Sequence, residues 1–298
     1  MTEITLLDGG LGQELIARSH KAPTPLWSTQ AMLDNPGLAQ AIHADFFAAG
    51  ATVATANTYA MHRDRLVDTE HADRFAELHA MALGEARAAR DAHGSGRVAG
   101  AIGPLVASYQ FDRHPDHDTA VPLYSEVARI MTPHVDFLIC ETVASVDHLV
   151  SVLEGAMTVG VPVWIALTVD DRDGTLLRSG EPVAAAAAEA AAGGAEAILA
   201  NCSAPEAMAA ALYAIAPAAR PFGAYANAFT QITADFLTER PTVDALSPRP
   251  EMTPELYADI AMGWVAQGAT IVGGCCEVGP AHIAELARRL RAAGHDIV

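Results

Sequence analysis

Short runs rich in β-branched and other apolar residues alternate along the chain with longer stretches whose apolar positions recur at helical spacing. The runs predict strands at 4–8, 51–58, 97–104, 136–143, 161–169, 195–203, 220–228 and 269–276. Helical stretches between them carry their own punctuation. Leu38, Ile42 and Phe46 follow an Asn35-Pro36 start and stop at Gly50. Leu256, Ile260 and Trp264 follow Thr253-Pro254 and stop at Gly268, and Ile283, Leu286 and Leu290 follow Pro280 and stop at Gly294. The alanine-rich run 184–192 has the look of low complexity, but alanine is a strong helix former and the run fits one more helix. Eight strand–helix units in succession predict an α/β fold, a single (β/α)8 TIM barrel. No linker or shift in composition divides 1–298, so one barrel domain is expected.

Composition narrows the classes of function. With 298 residues, 51% of them hydrophobic, the chain can bury one large core. No uninterrupted apolar stretch reaches the roughly 18 residues of a membrane span. Met1-Thr-Glu-Ile lacks the basic flank of a secretory signal, and a cytoplasmic protein is expected. A net charge of -18 argues against nucleic acid, whose phosphates need clustered Lys and Arg, and leaves small zwitterionic or cationic ligands open. Four cysteines in such a chain read as thiols, ligands or core residues rather than as a disulfide framework.

Barrel chemistry collects where strands end. Cys202 closes Ala197-Ile-Leu-Ala-Asn-Cys202, and Cys275 and Cys276 close Ala269-Thr-Ile-Val-Gly-Gly-Cys-Cys276. Asp8 ends the first predicted strand, Asn57, Thr58 and Tyr59 the second, Glu141 and Thr142 the fourth and Asn227 the seventh, all toward one mouth. Zinc favours thiolates in tetrahedral array, and a catalytic site keeps three protein ligands with one position open. Neighbouring strand residues face opposite ways, so Cys275 and Cys276 can both ligate only if the backbone leaves β geometry, a departure that Gly273 and Gly274 would ease. Cys140, within the apolar Phe137-Leu-Ile-Cys140, reads as a core residue. A redox pair at Cys275 and Cys276 stands as the alternative, although a vicinal disulfide closes a strained ring.

Asp8-Gly-Gly-Leu-Gly-Gln-Glu-Leu15, Gly50-Ala-Thr-Val-Ala-Thr-Ala-Asn-Thr-Tyr59, Cys140-Glu-Thr142, Asn201-Cys202 and Gly273-Gly-Cys-Cys276 with Pro280 and Ile283 resemble the homocysteine S-methyltransferase family. The motifs run in the same order from about residue 5 to 290. The resemblance implies a zinc-dependent barrel in which Cys202, Cys275 and Cys276 hold Zn²⁺ and the thiol of homocysteine takes the fourth position. It further implies that Asp8 and Glu141 receive the substrate ammonium, with the Gly9 backbone and Thr58 near its carboxylate. The expected reaction passes a methyl group from a small onium donor to that thiol and gives methionine.

Cationic methyl groups are recognised by aromatic faces. Trp27, Tyr59, Tyr109, Phe111, Tyr225 and Phe229 fall in or beside loops at the mouth, and Trp27 is favoured because Pro25-Leu-Trp-Ser28 resembles the family's first loop. Asn227 is added to the substrate set. Loops at about 104–120 and 228–252 are long enough to act as lids. Ser203, Glu277 and the run Tyr225-Ala-Asn-Ala-Phe229 depart from the family pattern, and these departures are expected on the donor side. S-methylmethionine leads as donor, followed by S-adenosylmethionine, a betaine and dimethylsulfoniopropionate; a folate or cobalamin donor is disfavoured because no second module is seen to carry it. A methyltransferase for a different thiol or sulfonium, a non-catalytic zinc-binding barrel and a vicinal-dithiol redox protein are the other readings.

Overall fold

The structure, a computed structural model, describes residues 2–19, 26–229 and 249–298. Its nine parallel strands form one curled sheet in the order β2-β3-β4-β5-β6-β7-β8-β1-β9. They are β1 (Glu3–Leu6), β2 (Val53–Thr55), β3 (Arg97–Ile102), β4 (Phe137–Val143), β5 (Val163–Leu167), β6 (Ala197–Asn201), β7 (Phe222–Ala226), β8 (Ile271–Gly274) and β9 (Asp296–Ile297). Helices α1 (Leu11–Ser19), α2 (Trp27–Asp34) and α3 (Leu38–Ala49) follow β1, and α4 (Arg63–Leu66) and α5 (Phe75–His93) follow β2. Among the described residues one α-helix follows each of β3 to β8: α6 (His117–Met131), α7 (Val146–Met157), α8 (Val183–Ala192), α9 (Pro205–Ile215), α10 (Pro254–Ala266) and α11 (Pro280–Ala292). The eight expected strand–helix units are therefore present as a barrel-like α/β fold. The ninth strand was not expected, since two residues leave no periodic trace.

β1 and β2 share no ladder, and the seam between them is closed by other means. Thr52 donates its N–H to Leu6 O at 2.7 Å, while β9 pairs with β1 at the opposite end and Val298 O accepts from Thr52 Oγ1 at 2.7 Å. At the mouth the Asp8 carboxylate spans the seam, accepting from Thr55 N and Thr55 Oγ1, both at 2.7 Å. The Asp8 side chain thus serves as a rivet of the fold.

Alternation along the strands decides what faces the axis. On β4, Phe137 and Ile139 point inward while Leu138 and Cys140 pack against the helix layer, so Cys140 is the core residue expected. The inner layers are filled: the Phe137 and Trp164 rings lie 4.1 Å apart with the Arg97 guanidinium over both. Filled layers leave the mouth at the strand C-termini as the place for a pocket.

The helix punctuation holds with one shift. Gly50, Gly268 and Gly294 all adopt positive φ just past their helices, where a side chain would be strained. Thr253 caps α10 by accepting from Leu256 N, but Leu256 itself is exposed; Tyr257, Ala258, Ala261 and Trp264 form the buried stripe. Among the described residues no helix is long and apolar enough to cross a membrane.

Candidate active site

The mouth holds a pocket lined by residues of β2, β3, β4, β6, β7 and β8 and of the segments that follow β1, β2, β3, β6 and β8. Three sulfurs meet at one side. The Sγ atoms of Cys202, Cys275 and Cys276 all lie within 4.8 Å of one another, close to the spacing of about 3.8 Å that tetrahedral Zn–S bonds of about 2.3 Å would impose. Three thiols converging on one point, with their remaining side open to the pocket, fit a metal ion with a free coordination position. Hydrogen bonds from the Cys275 and Cys276 thiols hold Cys202 well below the usual thiol range, while sharing that charge pushes both partners up.

The backbone reaches this geometry differently from the sequence expectation. Gly273 and Gly274 are ordinary strand residues, and β8 simply ends before Cys275, so neither glycine supplies an unusual φ. Close packing requires them instead: a Cβ on Gly273 would lie 2.5 Å from Leu7 Cβ, and one on Gly274 2.1 Å from Val278 Cγ1. Positive φ falls on Cys202 (52°) and Glu277 (64°), residues that pay strain to turn the chain at the sulfurs. Gly9 and Gly10 pass under the same turn, where a Cβ on Gly9 would meet Val278 O at 2.0 Å and one on Gly10 would meet Cys275 O at 2.7 Å.

Asn227 binds the cysteine loops together rather than lining the pocket. Its Oδ1 accepts from Cys276 N at 3.2 Å, and its N–H donates to Ser203 O at 3.1 Å. Ser203 is fully buried with its hydroxyl accepting from Val169 N at 2.9 Å, and Glu277 faces a separate cleft beside Glu14. Neither departure reaches the main pocket, contrary to their expected place on the donor side.

Asp8 and Glu141 line the pocket together, and among the described lining residues no Lys, Arg or His accompanies them. Burial pushes Asp8 up to about 7, against the two hydrogen bonds from Thr55. Burial likewise pushes Glu141 up to about 8, although Tyr225 Oη donates to its Oε1 at 2.8 Å. Glu141 is aimed by its strand: a register irregularity after Cys140 and the positive φ of Thr142 (59°) are secured by Asn201, whose Oδ1 accepts from Thr142 N at 3.1 Å. Behind Asp8 the buried His43 places Nδ1 3.9 Å from Oδ2.

Gly9, Trp27 and Tyr59 also line the pocket, Tyr59 with its hydroxyl 2.7 Å from Ser108 Oγ. Thr58 does not: its hydroxyl donates to Ala101 O and accepts from Ala101 N, stitching β2 to β3. Of the other aromatic candidates, Tyr109 and Tyr225 line the pocket, Phe229 packs on Tyr109 and Cys202, and Phe111 is exposed. The loop at 104–120 contains a short 3₁₀ turn at Phe111–Arg113 before α6 and brings Tyr109 onto the sulfurs. Most of 228–252 lies outside the described residues. The sequence reading missed Thr55, Gln13 and Ser108; Thr55 could have been found from its inward register two residues after Val53.

The chain is similar to homocysteine S-methyltransferase of Escherichia coli, with 28% identity over 96% of this chain and 95% of that protein. Homocysteine S-methyltransferase 4 of Zea mays is 24% identical over 98% and 90%, and methionine synthase of Mycobacterium tuberculosis is 29% identical over 85% of this chain but 21% of its own length. Among solved structures, the metallated form of the E. coli homocysteine methyltransferase MmuM matches with a TM-score of 0.78 at 26% identity, covering 96% of each chain. The profile of the homocysteine S-methyltransferase family matches residues 5–290. Match and site together make this chain a member of the homocysteine S-methyltransferase family and a methyltransferase of that kind.

Proposed function

We propose that the protein passes a methyl group from a small onium donor to the thiol of homocysteine, giving methionine, with zinc held by Cys202, Cys275 and Cys276. The observation that carries this reading is the pairing, in one pocket, of three converging sulfurs with the buried Asp8 and the partly buried Glu141, which have no cationic side chain beside them among the described lining residues. Zinc at the sulfurs would supply the Lewis acidity that keeps a thiol deprotonated at neutral pH. Asp8 and Glu141 would take the ammonium, whose charge offsets the cost of holding both carboxylates ionised in a buried site. With the Thr58 hydroxyl committed to the sheet, the substrate carboxylate falls to the Gly9 backbone ahead of α1, where a helix N-terminus favours an anion.

The donor end is served by Trp27, Tyr59, Tyr109 and Tyr225, whose ring faces attract onium methyl groups. S-methylmethionine leads, followed by S-adenosylmethionine, a betaine and dimethylsulfoniopropionate. Holding thiol and methyl carbon in line at contact distance is the protein's remaining contribution. The whole chain would act as one substrate-binding barrel.

The test is a donor panel with homocysteine, read out as methionine, on protein purified under reducing conditions with its metal content measured. About one zinc per chain, turnover with at least one onium donor and loss of both in Cys275→Ser are expected. Metal-free protein that cycles between dithiol and disulfide would overturn the reading in favour of the redox pair, and zinc without turnover on any donor would make it a binding barrel.

A further inference from the structure

One hydroxyl outside the ligand set touches it. Tyr109 Oη lies 2.9 Å from Cys202 Sγ, with Tyr109 buried on the loop between β3 and α6. Its backbone sits at φ 66° and that of nearby Val106 at 67°, an arrangement that persists only where surroundings dictate it. The Arg178 guanidinium lies 5.2 Å from the Tyr109 ring centroid and is fixed by two bonds to Asp171, at 2.9 and 2.8 Å. Asp171 Oδ1 in turn accepts from Ala204 N at 2.8 Å, two residues beyond Cys202. The loops after β3, β5 and β6 are thereby joined around a single sulfur.

We propose that Tyr109 is a positioning residue of the metal centre, donating its hydroxyl proton to the Cys202 sulfur so that the substrate sulfur is the more nucleophilic one facing the donor. The inference rests on the metal reading above. A ligated sulfur carries no proton, so the hydroxyl must be the donor in this contact. Three cysteine sulfurs and a fourth from substrate surround a divalent ion with excess negative charge, and the donor's methyl carbon confronts more than one sulfur. A hydrogen bond draws electron density from the sulfur that accepts it and lowers its reactivity. Arg178, stacked on the ring and locked to Asp171, keeps the hydroxyl aimed and sets a positive charge behind it.

Cobalt(II) titrated into the metal-free protein reports this bond directly through its sulfur-to-metal charge-transfer band. Tyr109→Phe keeps the ring and removes only the hydroxyl. The band is expected to move to longer wavelength, zinc affinity in chelator competition to fall about 10- to 100-fold, and iodoacetamide to alkylate Cys202 of the zinc-loaded protein faster. Tyr59→Phe is the control, because that hydroxyl bonds Ser108 rather than sulfur, and its band is expected to stay in place. A Tyr109→Phe band identical to wild type, or an equal shift in Tyr59→Phe, would overturn the inference while leaving the metal reading intact. Wild-type protein that binds no cobalt would overturn the metal reading itself.

Discussion

Glu141 and Asp8 show how one residue type can be asked for opposite things. A buried carboxylate without a cation is costly, and both acids respond by holding their protons to about 8 and about 7. The native state therefore binds more protons than the unfolded chain from roughly the ordinary glutamate value, near 4.5, up to about 8, and its stability falls as pH rises through that window. Glu141→Gln lacks this burden. Its stability relative to wild type is expected to grow from pH 5 to pH 8, by on the order of 2–4 kcal/mol, and to level off above. Urea denaturation of both proteins at three pH values checks it; a difference that does not change with pH would mean that the carboxyl is solvated. On the proposed function, homocysteine binding should weaken in the same variant.

At the scale of elements, the strands were legible because fully buried β-runs bounded by glycine and proline have few other readings. Their ends were less so: β2 was expected over 51–58 and spans Val53–Thr55, since the chain turns at Asn57 and Thr58 to place Tyr59. The cysteines and both acids were readable from strand-end position, whereas the inward turn of Thr58 into the β2–β3 ladder depends on a hydrogen bond that no residue pattern announces. Tyr109 was read only as an aromatic face, because its contact with Cys202 joins loops 93 residues apart. The glycines of β8 were noticed for the wrong physical reason, and this gives a test. Gly273→Ala would drive a Cβ into Leu7 and is expected to cost about 1–3 kcal/mol with weaker metal binding. Gly84→Ala, on α5 where a Cβ meets nothing within 4 Å, is expected to gain up to about 1 kcal/mol. Chemical denaturation of the pair measures both, and equal effects would show that backbone freedom rather than space is what these positions require.

Over the whole molecule, 36 acidic residues face 18 basic ones. Many arginines are already engaged, as in Arg63 with Glu126, Arg74 with Glu77 and Arg288 with Glu285, so a surplus of acids is left to repel one another. Exposed pairs contribute little each and are themselves weakened by salt, while repulsion among the surplus is relieved by it. Relief should win. The thermal unfolding midpoint is expected to rise as sodium chloride is raised from about 20 to about 200 mM, where the screening length shortens to below about 10 Å; a falling midpoint would show that the ion pairs dominate.

The seating of β1 against β8, with Thr5 beside Ile271, carries a consequence for how the molecule is made. A nascent chain leaving the ribosome amino end first holds β1 without its partners until β8 and β9 have been translated. Contacts so distant along the chain close late and slowly. Asp8 and Gly9 thus come together with Cys275 and Cys276, far along the chain, in a late step of assembly. Until β8 has seated beside β1, the three thiols have no common place in the fold.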